Sequence, residues 1–486
     1  MSLPSVQEPL LNKLSGMNQK QVDSPKKIPQ SLRRTKAINI PNLDETQIIR
    51  HFHHLSQRNF GIDTGMYPLG SCTMKYNPKI NEEIVSWHQF SCLHPYQHES
   101  TIQGTLQMMY ELEQMLSDLT GMDTFTLQPA AGAHGEFLGM LLARSYHKAN
   151  NDSKRVDIIT PDTSHGTNPA SISMAGFNLV EIPSTEEGTV DISLLKKIVS
   201  ERTACFMLTN PNTLGIFESD ILEIADIVHD AGGLLYYDGA NMNAIMGKAR
   251  PGDMGFDIVH LNLHKTFSSP HGGGGPGSGP IGVSKRLVSY LPVPRIQKKK
   301  DRYKFSYNHP ESIGKIKGFY GNVDVLLRAY TYILMMGADG LQKASEIAVL
   351  NANYLKKKIL EKPGFDLPYR DLRKHEFVLS AESLRKNKKI RAMDVAKRLL
   401  DYGVHPPTMY FPLIVKEALM IEPTETEPKN ALDEYAQILH KIAAEDAETV
   451  KNAPSNTVVG RVDEVNATRN PILTWNQIEK SEKIKK

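Results

Sequence analysis

The middle of this 486-residue chain alternates between short apolar runs and helical stripes, and this alternation limits its fold more narrowly than any other feature. Apolar residues recur with helical spacing over 106–119 and again over 221–228. The strand-like runs lie at 156–160, 204–209, 234–237 and 258–261. Strands that alternate with helices favour a largely parallel sheet with helices on both faces. We therefore predict an α/β fold whose ligands bind at the carboxyl ends of the strands.

Changes in composition and hydrophobic periodicity divide the chain into four predicted segments. The polar, Pro- and Ser-rich start predicts an extended arm, which either wraps a partner or is a loosely ordered terminus. Helical patterns at 322–336 and 341–358, followed by a candidate strand at 410–415, predict a smaller α+β domain. The predicted segments are an N-terminal arm (1–60), a large α/β domain (61–325), a small α+β domain (326–450) and a C-terminal tail (451–486).

Composition excludes several classes of protein. Hydrophobic residues make up 40% and charged residues 23% of the chain, as is typical of globular proteins. The net charge of +3 gives no basic footprint for nucleic acid, and no apolar run reaches the length of about 18 residues that a membrane span needs. Cys72, Cys92 and Cys205 show neither a disulfide framework nor zinc spacing. Because a secretory signal pattern is also missing, we expect a cytoplasmic protein.

Two polar residues stand at the ends of strand-like runs. Asp238 ends the run 234–237, and Lys265 follows the run 258–261 and precedes a glycine-rich stretch. An enzyme that uses pyridoxal 5'-phosphate (PLP) needs such a pair, because the lysine amine forms a Schiff base and the aspartate keeps the pyridine nitrogen protonated. A P-loop is excluded because its lysine follows the glycines. Taken singly, Lys265 also fits a surface lysine, and Asp238 also fits a cap of a turn or helix.

Further polar residues could complete a cofactor site. Gly132, Ala133 and His134 precede a helical pattern, and the free N–H groups of a helix start suit a phosphate, although glycine turns before helices are common. His165 follows a strand and either stacks on the cofactor ring or is an ordinary structural histidine. Asn241 lies three residues beyond the strand-end aspartate, within reach of the phenolic oxygen of the ring.

A set of segments between about residues 44 and 430 carries a family resemblance. They are YPLGSCTMKYNPK (67–79), QPAAGAHGE (128–136), DTSHGTNPAS (162–171), LTNPNTLGIFE (208–218), YYDGAN (236–241), RPGDMGFD (250–257), LNLHKTFSSPHGGGGPGSGP (261–280) and EPTETE (422–427). These segments resemble the P-protein family of the glycine cleavage system, in particular the lysine-bearing chain of its two-subunit form. The resemblance implies the PLP-dependent transferase fold type I, with a mainly parallel sheet flanked by helices and a smaller α+β C-terminal domain.

The resemblance also implies roles for individual positions. Lys265 matches the PLP-binding lysine, and Asp238 matches the partner of the pyridinium nitrogen. His165 matches the stacking residue, and Asn241 matches the neighbour of the phenolic oxygen. The residues that match the phosphate-binding positions are Gly132, Ala133, His134 and His264. The segment 70–75 matches part of the family's active site, without an assigned role for each residue.

The implied activity is the PLP-dependent decarboxylation of glycine, an oxidoreductase reaction that releases CO2 and transfers the aminomethyl group to the lipoyl arm of the H-protein. The implied partners are subunit 1, in a heterotetramer with two copies of each chain, and the lipoylated H-protein. Glycines 272–279 either line a passage for the lipoyl arm or form a buried loop that needs left-handed residues. Lysines 298–300 form either a solvated loop or a docking patch for an acidic carrier. Two alternatives stay open: another fold type I enzyme, such as a desulfurase or an aminotransferase, and a non-catalytic PLP-binding subunit.

Overall fold

The computed structural model describes residues 8–14, 29–34, 41–271, 277–369 and 372–478. Its strands are β1 (Thr124–Thr126), β2 (Asp157–Pro161), β3 (Asn178–Ile182), β4 (Thr203–Leu208), β5 (Leu234–Gly239), β6 (Ile258–Leu261), β7 (Ile281–Val283), β8 (Arg295–Lys299), β9 (Arg302–Ser306), β10 (Phe377–Ser380), β11 (Thr408–Met409) and β12 (Ala418–Ile421). Its helices are α1 (Leu11–Leu14), α2 (Glu45–Ser56), α3 (Lys79–Ser86), α4 (His88–Ser91), α5 (Gln103–Thr120), α6 (Gly132–Ala149), α7 (Asn168–Met174), α8 (Ile192–Ile198), α9 (Ile221–Asp230), α10 (Val323–Leu360), α11 (Glu382–Lys388), α12 (Ala392–Asp401), α13 (Lys429–Ala444), α14 (Ala447–Asn452) and α15 (Glu464–Arg469).

A seven-stranded sheet forms the centre of the large domain, with the order β1–β7–β6–β5–β4–β2–β3. The neighbours from β6 to β3 run parallel, and β7 runs antiparallel to both β6 and β1. Every residue of β4, β5 and β6 is buried, which explains why these strands appear in the sequence as almost continuous apolar runs. The predicted α/β fold with a mainly parallel sheet is confirmed.

Helices cover both faces of this sheet. Along β5, Leu235 and Tyr237 pack into one hydrophobic core, and Leu234 and Tyr236 pack into another, because successive side chains of a strand point to opposite faces. The first core contains residues of α5 and α9, and the second contains residues of α6. Helix α5 ends at Thr120, and its C-cap Gly121 has a φ of 74°, in the left-handed region that favours glycine.

Helix α10 connects the two domains. It is 38 residues long, and Gly337 within it has non-helical backbone angles of φ 61° and ψ −177°, which separate the two helical patterns found in the sequence. Residues of α10 up to Ala344 pack in the core of the large domain, and residues from Ala352 pack in the core of the small domain. Helix α10 therefore contributes residues to both hydrophobic cores. The four predicted segment boundaries stay predictions.

The small domain is built on a three-stranded antiparallel sheet with the order β10–β12–β11. Leu355 of α10, Leu419 of β12 and Leu439 of α13 share its core. The predicted smaller α+β domain is therefore confirmed. The strand predicted at 410–415 is wrong, because this stretch connects β11 to β12 and starts at Tyr410, whose φ of 56° lies outside the range of a strand.

The basic cluster 298–300 belongs to a β-hairpin rather than to a loop alone. Lys298 and Lys299 are the last residues of β8, which pairs antiparallel with β9, and Lys300 lies in the turn between the two strands. All three lysines are exposed. The predicted solvated loop is corrected only in its secondary structure, because the lysines belong to a hairpin whose residues Ile296 and Tyr303 pack in the core of the large domain.

The predicted N-terminal arm contains a regular element. Helix α2 begins after Asp44, whose Oδ1 accepts a hydrogen bond from the N–H of Gln47 at 2.7 Å, while the Gln47 side chain accepts from the N–H of Asp44. This capping box satisfies N–H groups that a helix start leaves unpaired.

Among the described residues, no helix combines the length and the hydrophobicity that crossing a membrane requires.

Candidate active site

A cavity of about 220 Å³ opens at the carboxyl ends of the parallel strands. Its lining residues are Ser71, Gly132, Ala133, Glu136, His165, Thr167, Thr209, Pro211, Thr213, Asp238, Ala240, Asn241, Asn262, His264, Lys265, His375 and Glu376. Strands β2, β4, β5 and β6 all point their carboxyl ends at this cavity, because parallel neighbours end at the same edge of a sheet. The cavity therefore brings together every residue singled out in the sequence for the cofactor except His134.

Lys265 reaches the cavity from the turn that follows β6. Its Nζ donates a hydrogen bond to the carbonyl oxygen of Ser71 at 2.8 Å. Leu263 and Phe267, on either side of it in sequence, are fully buried and anchor the turn in the hydrophobic core. The lysine is thereby partly shielded from water and held in one place at the edge of the cavity.

Asp238 lies near the end of β5 and is only 3% exposed. Its Oδ2 accepts a hydrogen bond from Asn168 Nδ2 at 3.0 Å, and its Oδ1 lies 3.3 Å from His260 Nδ1. Burial by itself raises the pKa of Asp238, but the neighbouring His260 and Asn168 hold the pKa well below its usual range. The cavity therefore contains a buried carboxylate that stays ionised.

His260 and Glu136 flank this carboxylate and were not predicted from the sequence. His260 pairs with Asp238 in the register of β5 and β6, and its Nε2 lies 2.8 Å from Asn262 Oδ1. Burial lowers the pKa of His260, but the negative charge of Asp238 raises it above the usual imidazole value. Burial and the same negative charge raise the pKa of Glu136, which accepts hydrogen bonds from two hydroxyl groups. The available sequence signal for His260 was the presence of a histidine within an apolar strand run.

His165 follows β2 and lines the cavity as a neutral ring. Burial, followed by the positive charge of Lys265, lowers the pKa of His165 below its usual value, against the opposing effect of Asp238. Its Nδ1 lies 2.9 Å from Thr167 Oγ1, and its ring meets Phe411 edge to face at 5.9 Å between centroids. An imidazole held in this way can offer its face to a planar ligand.

The start of α6 forms another wall of the cavity. A Cβ atom on Gly132 would lie 2.6 Å from Asn262 Oδ1, so a larger residue here would force Asn262 or the first turn of α6 to move. Gly132 and Ala133 belong to the first helical turn, whose N–H groups have no partner within the helix and attract anions. The cavity therefore has an anion-binding end next to its buried aspartate and lysine.

Two histidines were predicted near this anion-binding end, and the structure separates them. His264 lines the cavity, where burial lowers its pKa to about 3, and its Nδ1 accepts from the N–H of Ser278 at 3.3 Å. The side chain of His134 lies in a different cavity with Phe137 and Lys315. A contribution of His134 to anion binding is therefore confined to its backbone N–H group, because the helix turns its side chain away.

Asn241 borders the cavity but has partners that its sequence position did not reveal. Its Nδ2 donates to Glu422 Oε1 at 2.8 Å and also to Thr73 Oγ1. Its Oδ1 accepts from the N–H of Asn243 at 2.7 Å. To donate to a phenolic oxygen as predicted, Asn241 would have to share an amide hydrogen that already points at Glu422 or Thr73.

The small domain supplies a further group that the sequence analysis missed. His375 and Glu376 line the cavity, and Glu422 lies behind them. One side-chain nitrogen or oxygen atom of each of these three residues lies within 4.8 Å of the other two. Burial lowers the pKa of His375 to about 3, and neither of its ring nitrogens has a hydrogen-bond partner among the described residues. Burial, followed by the charge of Glu422, raises the pKa of Glu376 well above its usual value.

The residues of the cavity fit PLP. Its phosphate suits the first turn of α6, and its ring nitrogen suits the ionised carboxylate of Asp238. The face of the ring suits the neutral imidazole of His165, and its aldehyde suits the amine of Lys265. A mainly parallel seven-stranded sheet with this site at its carboxyl edge defines a PLP-dependent enzyme of fold type I.

Solved structures with this fold include a glycine decarboxylase P-protein in an inhibitor-bound form, at 19% identity over 87% of this chain and 93% of that chain, with a TM-score of 0.70. A Lactobacillus brevis glutamate decarboxylase matches at 14% identity over 87% of this chain and 96% of that chain, with a TM-score of 0.64. At these identities the likeness concerns the fold. The sequence comparisons are more specific.

The family model described as glycine cleavage system P-protein matches residues 5–304, and that of the glycine dehydrogenase C-terminal domain matches residues 344–460. The chain belongs to the glycine cleavage system P-protein family. A probable glycine dehydrogenase (decarboxylating) subunit 2 of Thermococcus onnurineus is 58% identical over 96% of both chains. A protein of the same description from Pyrococcus furiosus is 60% identical over 92% of this chain and 90% of its own length.

Proposed function

We propose that this chain carries the PLP-binding active site of a glycine-decarboxylating enzyme of the glycine cleavage system, with Lys265 as the residue that binds PLP. The observation that carries the proposal is the convergence of Lys265 and Asp238 on one cavity at the carboxyl ends of adjacent strands. Glycine decarboxylation is the activity of the family to which the chain belongs. The products are CO2 and an aminomethyl group, which passes to the lipoyl arm of the H-protein.

PLP, when bound, supplies an electron sink for the electron pair left on the α-carbon of glycine as CO2 departs. Asp238 would support this role, because its buried, ionised carboxylate suits a protonated ring nitrogen. His165, with its ring kept neutral, would pack against the ring face. The N–H groups of Gly132, Ala133 and His134, together with His264, would hold the phosphate end.

Lys265 would hold the cofactor through its side-chain amine. The carbonyl oxygen of Ser71 accepts a hydrogen bond from this amine at 2.8 Å and so fixes its direction. Asn241 orients the same region through Thr73 and Glu422, and it remains our proposed neighbour of the phenolic oxygen. The buried surroundings of the cavity would keep water away from a bound substrate.

The proposed partners are subunit 1, in a heterotetramer with two copies of each chain, and the lipoylated H-protein. The name subunit 2 of the Thermococcus and Pyrococcus relatives supports a partner chain. Residues 272–276 of the proposed lipoyl passage lie outside the described residues. Gly279, within the described part, packs against the carbonyl of Ala131, which supports a close-packed role for that end of the glycine run. Lys298 and Lys299 stay candidates for carrier docking, since they are exposed on β8.

A cysteine desulfurase is the alternative that the site disfavours. Such an enzyme needs a cysteine that ionises readily, and Cys72 lies beside the cavity. Burial raises the pKa of Cys72, and the positive charge of Lys265 only partly opposes this effect. The thiol is therefore protonated at neutral pH, which is the wrong state for a nucleophile.

The exchange of labelled bicarbonate into the carboxyl group of glycine tests the proposed function. We expect exchange when this chain is combined with PLP, subunit 1 and lipoylated H-protein, and loss of exchange with Lys265→Ala. Borohydride reduction should attach PLP to the wild-type chain and not to Lys265→Ala. Lys299→Ala, which removes an exposed lysine, is the matched control and should retain attachment. Reduced PLP on the Lys265→Ala chain would overturn the assignment of Lys265, and a complete mixture without exchange would overturn the function.

A further inference from the structure

The segment that follows Pro68 crosses from the small domain to the cavity. Its first part pairs with the end of β12, the central strand of the small sheet, where the N–H of Gly70 donates to the carbonyl of Met420 at 3.2 Å and Leu69 bridges Ile421. A Cβ atom on Gly70 would lie 2.6 Å from the Met420 carbonyl oxygen, so the backbones approach closely here. The segment is therefore attached to β12 of the small domain before it enters the active site.

Beyond Gly70 the backbone adopts unfavourable φ angles at two residues. Ser71 has a φ of 64° and Thr73 a φ of 52°, although both residues have side chains that disfavour the left-handed region. Such conformations persist only where the surrounding structure holds them in place. The holding groups are two glutamates: Glu376 Oε2 accepts from the N–H of Ser71 at 2.7 Å, and Glu422 Oε2 accepts from the N–H of Thr73 at 3.0 Å.

The held conformation directs a carbonyl group at the reactive lysine. With its N–H bound to Glu376, Ser71 presents its carbonyl oxygen to Lys265 Nζ at 2.8 Å. Glu422 uses its second oxygen to accept from Asn241 Nδ2 at 2.8 Å, so one carboxylate binds both the segment and a wall of the cavity. Glu376 directly precedes β10 and Glu422 directly follows β12, whereas the lysine follows β6 of the large domain.

The two glutamates differ in the hydrogen bonds that they must make. Among the described contacts, Glu376 accepts one hydrogen bond, from the N–H of Ser71. Burial and the nearby charge of Glu422 raise the pKa of Glu376, which favours its protonated form. Glu422 accepts from two donors, one at each carboxyl oxygen, which a carboxylate can do and a side-chain amide cannot. The charged or titratable groups that face this pair are Lys265, His375 and Cys72.

We propose that Glu376 and Glu422 are positioning residues that hold the backbone of Ser71 and Thr73, so that the Ser71 carbonyl meets Lys265 and the small domain sets the direction of the lysine amine. The inference rests on the proposed function only in taking Lys265 as the residue that reacts with the cofactor. It assigns a role to the strained segment 71–73, whose residues lie far from the lysine in sequence. It also makes the attachment of the cofactor sensitive to where the small domain sits.

Isosteric variants of the full-length chain test this role. Glu376→Gln keeps an acceptor oxygen for Ser71, whereas Glu422→Gln places an amide nitrogen against either Thr73 or Asn241, both of which are donors. Amide hydrogen exchange of the chain without PLP should therefore accelerate about tenfold in a peptide spanning 69–76 for Glu422→Gln and stay near wild type for Glu376→Gln. Glu311→Gln, at an exposed position, is the control and should leave this peptide unchanged.

The rate at which PLP attaches to Lys265, followed by visible absorbance, is the second measurement. We expect it to fall about tenfold in Glu422→Gln and less than about twofold in Glu376→Gln. Equal effects of the two variants, or a Glu422→Gln chain with wild-type exchange and attachment, would overturn the proposal. Because neither measurement uses glycine, these results are separate from a failure of glycine–bicarbonate exchange, which would overturn the proposed function instead.

Discussion

Asp238 and His260 face each other from neighbouring parallel strands, with His260 Nδ1 3.3 Å from Asp238 Oδ1. The pair is fully enclosed, and each partner stabilises the charge of the other against the cost of burial. This relationship explains how a carboxylate can remain ionised at the bottom of a cavity. It also indicates that the electron sink of the proposed reaction depends on a histidine that does not line the cavity.

Replacement of His260 by glutamine should move the acid side of the activity profile. Without the imidazole, burial is opposed only by weaker partners, so the pKa of Asp238 should rise. The ring nitrogen of PLP would then lose its anionic partner at a higher pH than in the wild type. We expect the acid limb of glycine–bicarbonate exchange to shift to higher pH, as measured by a full pH profile.

His229→Gln is the matched control for this prediction, because His229 also contacts a buried carboxylate, that of Asp257, but lies outside the cavity. Its profile should overlay that of the wild type. An unshifted acid limb in His260→Gln would contradict the role assigned to the pair.

Asp238→Asn should separate cofactor binding from catalysis. Asparagine has nearly the shape of aspartate and can still accept from Asn168, so PLP should remain attached to Lys265. The amide has no negative charge to keep the ring nitrogen protonated, and decarboxylation should fall by about a hundredfold or more. Visible absorbance measures retention, and bicarbonate exchange measures turnover. Near-normal turnover with bound PLP would argue against Asp238 as the partner of the ring nitrogen.

Gly132→Ala should weaken the binding of PLP at its phosphate end. The added methyl group would lie 2.6 Å from Asn262 Oδ1, so either the first turn of α6 or the asparagine must move. We expect the dissociation constant of PLP to rise about tenfold, a loss comparable to one hydrogen bond to a charged group. Fluorescence titration of the chain with PLP provides the measurement. Gly104→Ala, near the start of α5 with open space around it, should bind PLP as the wild type does.

Glu113 should make the folded state less stable as the pH rises. This residue of α5 is buried, it accepts from the hydroxyl of Tyr320 at 3.1 Å, and burial raises its pKa to about 8. Between the usual carboxyl pKa near 4.5 and about 8, the unfolded chain ionises while the folded chain keeps its proton. The contribution to stability is therefore fully present below that lower pKa and is lost toward pH 8, by roughly 1 kcal/mol per pH unit.

Glu113→Gln removes this titration and should gain stability relative to the wild type as the pH increases from 5 to about 8. Chemical unfolding at several pH values measures the difference. A constant difference between the two chains across this range would show that Glu113 is not protonated in the folded state. Glu311→Gln, at an exposed position, provides the corresponding control.

Much of the cavity was predictable because strand ends converge in a parallel sheet. Asp238 and Lys265 each follow an apolar run, and two such runs that pair in parallel must place their following residues at one edge. The same reasoning applies to His165 after β2. It does not extend to His260, because a polar residue inside a buried strand gives no sign of which face it occupies or which partner it meets.

Other residues of the cavity depended on the packing of distant segments. Glu376 reaches it from the small domain, with Glu422 behind, and their respective partners Ser71 and Thr73 lie more than 300 residues away from them in sequence. The side chain of His134 points to a different cavity because the helix begins at Gly132 and fixes the direction of each following residue. The apolar residues of 410–415 resemble a strand in sequence, and only the structure shows that this stretch is a connection starting at Tyr410 with a φ of 56°.

The amino-acid sequence by itself determined the alternation of strands and helices, the lysine and aspartate at adjacent strand ends, and the membership of a family, since these depend on local periodicity and on short segments. The tertiary structure alone decided that Asp238 is paired with His260, that Asn241 binds Glu422, and that two small-domain glutamates hold Ser71 and Thr73 beside the lysine. The physical reason is that burial and charge act through space. A pKa shift or a strained φ depends on which side chains the packing of two domains brings within about 3 Å.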